Sequence, residues 1–160
     1  MTEIFRVPKR QVPAQVLIPG RPPMSMTLFL SECAGTHAGT ERPSDLMNGE
    51  QVFFPATDLQ GSTVFLRRDA VMVLTVSSVH ELGDDPDAVS PLASDEATQA
   101  RLEVLLEDGS ILRGVLRFLM PEGKRRLQDF LNLSDRFLHL EEGDRIHLIN
   151  KQRIIRLTPL

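Results

Sequence analysis

Tryptophan and tyrosine are both missing from this 160-residue chain, and phenylalanine, present eight times, is its only aromatic residue. The side chains that most often anchor protein interfaces are therefore absent, and Arg, Phe, Met or Leu must serve instead. Cysteine occurs once, as Cys33, which excludes an intrachain disulfide and leaves nothing to argue for an oxidising compartment. No apolar run approaches the roughly 18–20 residues of a membrane-spanning helix, the longest clean one being Ala70 to Leu74. Met1 to Pro8 has neither the basic start nor the apolar core of a signal peptide, so the chain is expected in the cytoplasm, with no membrane partner. An excess of positive charge is also lacking. The formal net charge of −4 excludes a bulk attraction to phosphate backbones or anionic lipid, and leaves only local basic patches. Phosphate-cradling glycine patterns and the G-x-S-x-G elbow do not occur.

What is present is a repetition. Arg42-Pro43-Ser44-Asp45-Leu46-Met47-Asn48, followed by Phe53 and Phe54, returns as Arg126-Leu127-Gln128-Asp129-Phe130-Leu131-Asn132, followed by Phe137 and Leu138, at an offset of 84. Upstream, Val16-Leu17-Ile18 matches Val104-Leu105-Leu106 at an offset of 88. Downstream, Phe65-Leu66-Arg67-Arg68 through Val71, Leu74 and Thr75 matches Leu148-Ile149-Asn150-Lys151 through Ile154, Leu157 and Thr158 at an offset of 83. The offset changes only in loops, where insertions are tolerated. A tandem duplication is expected, with an N-terminal extension over 1–13, a first repeat over 14–79, an acidic linker over 80–98 and a second repeat over 99–160. Units of this size bury only about 60% of their unfolded surface, so they are expected to pack on each other or on another copy of the chain.

The second copy carries the clearer local pattern. Leu102, Val104 and Leu106 alternate with Glu103 and Glu107, the period-2 mark of a half-buried strand. Asp108-Gly109 predicts a tight type I′ hairpin into a second strand over Leu112 to Leu119, within which Gly114 marks a bend or a close backbone approach. From Lys124 to Leu133 the period changes, with Leu127, Phe130 and Leu131 on one stripe of a short helix. Phe137 to Leu140, Ile146 to Leu148 and Ile154 to Leu157 read as three closing strands, with a polar corner at Asn150-Lys151-Gln152. The linker from Glu81 to Glu96 holds six acids, no bases and two prolines, the composition of a solvated connection.

A mainly β fold follows: tandem five-stranded barrels, each with a short inserted helix. Val104 to Gly109 and Leu112-Arg113-Gly114-Val115-Leu116 resemble the first motif of Sm-like small β-barrels, a kind related to SH3-like barrels, and Ile146 to Leu157 resembles the second in outline. That resemblance implies topology alone, because the family's RNA-binding Asp and Asn loop and its closing Arg-Gly have no counterpart here. The hairpin, the R-L-x-D-F-L-N run and the following phenylalanine strand also resemble small bacterial domains of unknown function, which implies a bacterial source.

Two sets of residues stand out as candidate sites. One is the repeated polar motif, Arg42, Asp45 and Asn48 with Arg126, Asp129 and Asn132, whose spacing equally suits pairing along a helix and closure of its end. The other is a basic cluster of Lys124, Arg125, Arg126, Lys151 and Arg153, fit for a protein partner or for RNA, though without interleaved stacking aromatics. Cys33 and His37 stand four apart, but zinc needs two more ligands, and His80, His139 and His147 are isolated, the last two expected to face outward. No cofactor and no catalytic residue is expected. The reading is a non-enzymatic protein-protein interaction or scaffold module with an unidentified protein partner or a homodimer. The alternative is an RNA-binding Sm-like protein.

Overall fold

The computed structural model describes residues 9–32, 39–82, 97–119, 126–133 and 135–160. Ten strands and three short α-helices follow one another as β1 (Lys9–Leu17), β2 (Met24–Ser31), α1 (Pro43–Met47), β3 (Phe53–Thr57), β4 (Thr63–Arg67), β5 (Val73–Ser77), α2 (Ser78–Leu82), β6 (Thr98–Leu106), β7 (Ile111–Phe118), α3 (Leu127–Leu131), β8 (Phe137–Glu142), β9 (Arg145–Asn150) and β10 (Ile154–Pro159). Alternation places the strands as expected. Val12, Ala14 and Val16 are buried between exposed Gln11, Pro13 and Gln15, and Leu102, Val104 and Leu106 are buried in the same manner on β6. β1 begins at Lys9, so the ladder takes in Lys9–Pro13 from the segment expected as an extension, with Pro13 opposite Thr27.

Among the described residues all strand pairs are antiparallel, and they form one open sheet in the order β10-β6-β7-β8-β9-β5-β1-β2-β3-β4. The mainly β character expected from the sequence is present, but the ladder is one continuous sheet that does not close and shows no separate pair of small barrels. Among the described residues β4 does not pair with β5, nor β9 with β10, and β5 instead pairs with β9 from Val73↔Ile149 to Ser77↔Arg145. Each half nevertheless has the same internal order, β5-β1-β2-β3-β4 in one and β10-β6-β7-β8-β9 in the other.

The central β5–β9 joint belongs to both cores. The first core gathers Val12, Val16, Leu28, Leu30, Met47, Phe54 and Leu74, together with Phe137, Ile146 and Leu148 from the second half. The second gathers Leu102, Val104, Leu106, Leu116, Phe118, Leu138, Leu140 and Ile149, together with Met72 and Val73 from the first half. Met72, Leu74, Leu148 and Ile149 are wholly buried. At about 1.5–3 kcal/mol for each fully buried side chain of this kind, those four are comparable to the whole margin of about 5–15 kcal/mol by which a domain is stable. The joint is thus as much a part of the fold as the hairpins are.

Three local expectations are corrected. The β6–β7 turn is not type I′, because Gly109 alone has positive φ (88°) while Asp108 does not. The Gly109 amide donates to the Leu106 carbonyl at 3.0 Å and the Leu106 amide to the Ser110 carbonyl at 2.9 Å, a three-residue loop with glycine at the left-handed position. The Asp108 carboxylate accepts from the Ser110 amide and hydroxyl, which holds Asp108 on the negative side of φ. His147 faces inward, not outward. It is covered by β5, with its Nδ1 2.7 Å from the Thr75 hydroxyl. Glu81, expected in the solvated linker, is buried on α2.

Candidate functional site

α1 is placed from three sides. Pro43 supplies the fixed φ of a first helical turn, and the Arg42 amide donates to Asp45 Oδ2 at 2.9 Å. Arg68, in the 3₁₀ turn after β4, is buried beneath it, donating through Nε (3.2 Å) and Nη2 (2.8 Å) to the Leu46 carbonyl with its guanidinium over the Phe54 ring. Burial lowers the pKa of that guanidinium, Arg136 lowers it further, and Asp69 opposes both. On the third side α2 follows β5 directly and carries Glu81 under the helix, where its carboxylate accepts from the Ser44 amide (3.1 Å) and from the Ser44 hydroxyl. His139 Nε2 on β8 stands 3.8 Å from the same carboxylate, and its buried Nδ1 has no hydrogen-bond partner among the described residues.

Ser44, Glu81 and His139 line a cleft of about 770 Å³ between the halves, together with Asn48, Phe130 and Lys151. In a Ser-His-acid arrangement the imidazole stands between hydroxyl and carboxylate and takes the serine proton. Here Ser44 donates directly to the Glu81 carboxylate, and His139 Nε2 stands 3.8 Å from that same carboxylate. The cluster ties α1, α2 and β8 together. Among the described residues no group of three His, Cys, Asp or Glu side chains is placed to hold a metal ion. Cys33 and His37 lie outside the described residues.

The repeated polar motif is used in two ways. Arg42, Asp45 and Asn48 border the cleft, and Asn48 Oδ1 accepts from the Phe137 amide across the halves at 2.9 Å. Arg126, Asp129 and Asn132 act within their own helix, Arg126 Nε donating to Asp129 Oδ2 at 3.2 Å and Asn132 Nδ2 to the Gln128 carbonyl at 2.7 Å. Of the expected basic cluster, Lys124 and Arg125 lie outside the described residues. Arg153 donates to Glu107 Oε1 (2.8 Å) and to the Asp69 carbonyl, and Lys151 Nζ donates to the Leu133 carbonyl (3.1 Å). Burial lowers the Lys151 pKa, with Asp135 opposing. The corner therefore meets the C-terminal end of α3 rather than its start, and its cations already hold internal partners.

Sequence reasoning missed Ser44, Glu81 and His139 as a group. No local pattern separates Glu81 from the five acids that follow it, and a histidine on an alternating strand carries no sign of what faces it. Exposed features lie at the two ends of the sheet, where β4 presents Phe65, 70% exposed, and β10 presents Ile155, 65% exposed. Comparison with protein-family models, with curated proteins and with solved structures found no match.

Proposed function

We propose that this chain is a non-enzymatic protein-interaction or scaffold module of a bacterial cytoplasm, built from two duplicated small-barrel units that engage a protein partner. The observation that carries the reading is the pair of terminal strands, β4 and β10, each hydrogen-bonded on one side only among the described residues and each showing a large apolar side chain to solvent. An unpaired strand edge is a ready template for strand addition, where main-chain bonds supply affinity and alternate side chains supply specificity. The duplication is supported by the identical strand order of the halves and by the 3₁₀ turns Arg68–Ala70 and Lys151–Arg153, which recur at the sequence offset of 83. Two further facts favour a protein over RNA: Arg126, Lys151 and Arg153 are engaged internally, and the net charge is negative. No described helix is long and apolar enough to cross a membrane.

The test is a pull-down of the full chain from native bacterial lysate, with and without nuclease, recovering protein and nucleic acid. A protein retained after nuclease treatment is the expected result. Recovery of RNA, with proteins lost on nuclease treatment and binding abolished by charge reversal at Arg126 and Lys151, would overturn it in favour of the RNA-binding alternative.

A further inference from the structure

We infer that the partner of these edges is a second copy of this chain: β4 of one copy pairs antiparallel with β10 of the next, and each joint between copies repeats the β5–β9 joint inside the chain. This rests on the interaction-module reading and names its partner. The offset of 83 carries β9 onto β4, Leu148 onto Phe65 and Ile149 onto Leu66, and carries β5 onto β10, Leu74 onto Leu157 and the preceding Met72 onto Ile155. One end of the sheet is therefore the β9-like half of the joint and the other end the β5-like half. They are complementary to each other, and neither is complementary to itself.

Burial agrees with this assignment position by position. Leu148 is wholly buried because it enters the core of the half across the joint, whereas Phe65 at the same position of the free edge is 70% exposed. Met72 is wholly buried for the same reason in the opposite direction, and its equivalent Ile155 is 65% exposed. Transferring the internal register gives Leu157 opposite Phe65, Thr158 opposite Val64 and Arg156 opposite Leu66. In that register Arg67 and Arg156 point to opposite faces of the sheet, so like charges do not meet. Pro159 takes one donor from the outer edge, since the neighbouring Leu160 amide faces β6 and donates to the Arg101 carbonyl at 2.9 Å. That loss falls toward the end of the register and leaves the Leu157 rung intact. A head-to-tail contact of this kind is heterologous, and it builds a ring or a filament according to the rotation at each joint.

The test uses the full chain and two surface variants, Phe65→Lys and Ile155→Lys, each checked by circular dichroism for an unchanged fold. Light scattering should give wild type a mass that is a multiple of 17.9 kDa, and each variant the mass of one chain. Mixed in equal amounts, the variants should form a species of twice that mass, because each retains the edge the other has lost. A monomeric wild type at every concentration, variants that assemble like wild type, or a mixture that stays monomeric overturns the inference. Assembly of Ile155→Lys alone, with no gain on mixing, replaces it with a symmetric β4–β4 contact. A monomeric wild type that still retains a foreign protein after nuclease treatment sinks self-pairing alone, and one that retains none sinks the module reading as well.

Discussion

Gly114 is the position where a single added carbon would do most harm. A Cβ there would run into the Glu141 carbonyl oxygen and stand 2.9 Å from Leu140 Cγ and 3.1 Å from the Glu141 carbonyl carbon, so backbone of β7 or β8 must move. Gly114→Ala is expected to cost about 1–3 kcal/mol, the range of core overpacking, read as a lower urea midpoint at unchanged slope. The close approach was legible in the sequence as a glycine inside an alternating strand; that the approaching backbone is β8 was not. Asp108 offers a test by pH. The Ser110 hydroxyl and amide hold its carboxyl below the ordinary value of 3.8. A group depressed in the folded state stabilises fully above its unfolded value, and loses that contribution as the pH falls through the folded one. Ser110→Ala should therefore lower the melting temperature near neutrality, with the gap to wild type closing below pH 3.8. A gap that stays constant into acid would refute this cause.

Between elements, equal sequence does not mean equal work. α1 and α3 carry the same Arg, Asp and Asn spacing, yet Asn48 bonds β8 across the halves while Asn132 closes only its own helix. Asn48→Ala leaves the Phe137 amide without its acceptor in a part-buried place and is expected to cost about 1–2 kcal/mol. Asn132→Ala, at an exposed helix end, should cost less than about 0.5 kcal/mol. Chemical denaturation of both variants checks the asymmetry, and equal losses would show that the two motifs do the same job. The helix positions themselves were legible from a change of period, and Phe130 docks α3 as its stripe implied, its ring stacked on Phe118 at a centroid distance of 4.8 Å. Which copy of the motif reaches across the molecule was not legible, because the two copies differ in their surroundings and not in their spacing.

The whole molecule holds together through β5 and β9, whose buried side chains complete each other's cores. Cutting the chain between Leu82 and Thr98 should leave two fragments that show no cooperative melt alone. Mixed, they should recover it, since a half without its joint exposes Met72 or Leu148 along with an unpaired edge. Circular dichroism melts of each fragment and of the mixture decide this; cooperative melting of either fragment alone would show that the joint is a contact between self-sufficient units.

Local pattern was enough for the mainly β character, for the strands along Leu102–Leu106 and Ile146–Leu148, for the β6–β7 hairpin, and for the place of α1 and α3, though not for α2. Each of these depends on neighbours within a few residues, where alternation or a 3.6-residue stripe says which face a side chain takes. Periodicity says nothing of what lies opposite that face. Thr75 meets His147, Ser44 meets Glu81 and His139, and Arg153 meets Glu107 and Asp69 through pairings far apart in the chain. One continuous open ladder where two small barrels were expected, a buried Glu81 among linker acids and a basic corner already satisfied all arise from such contacts. They depend on which edge meets which edge, and that is settled only when both halves are folded against each other.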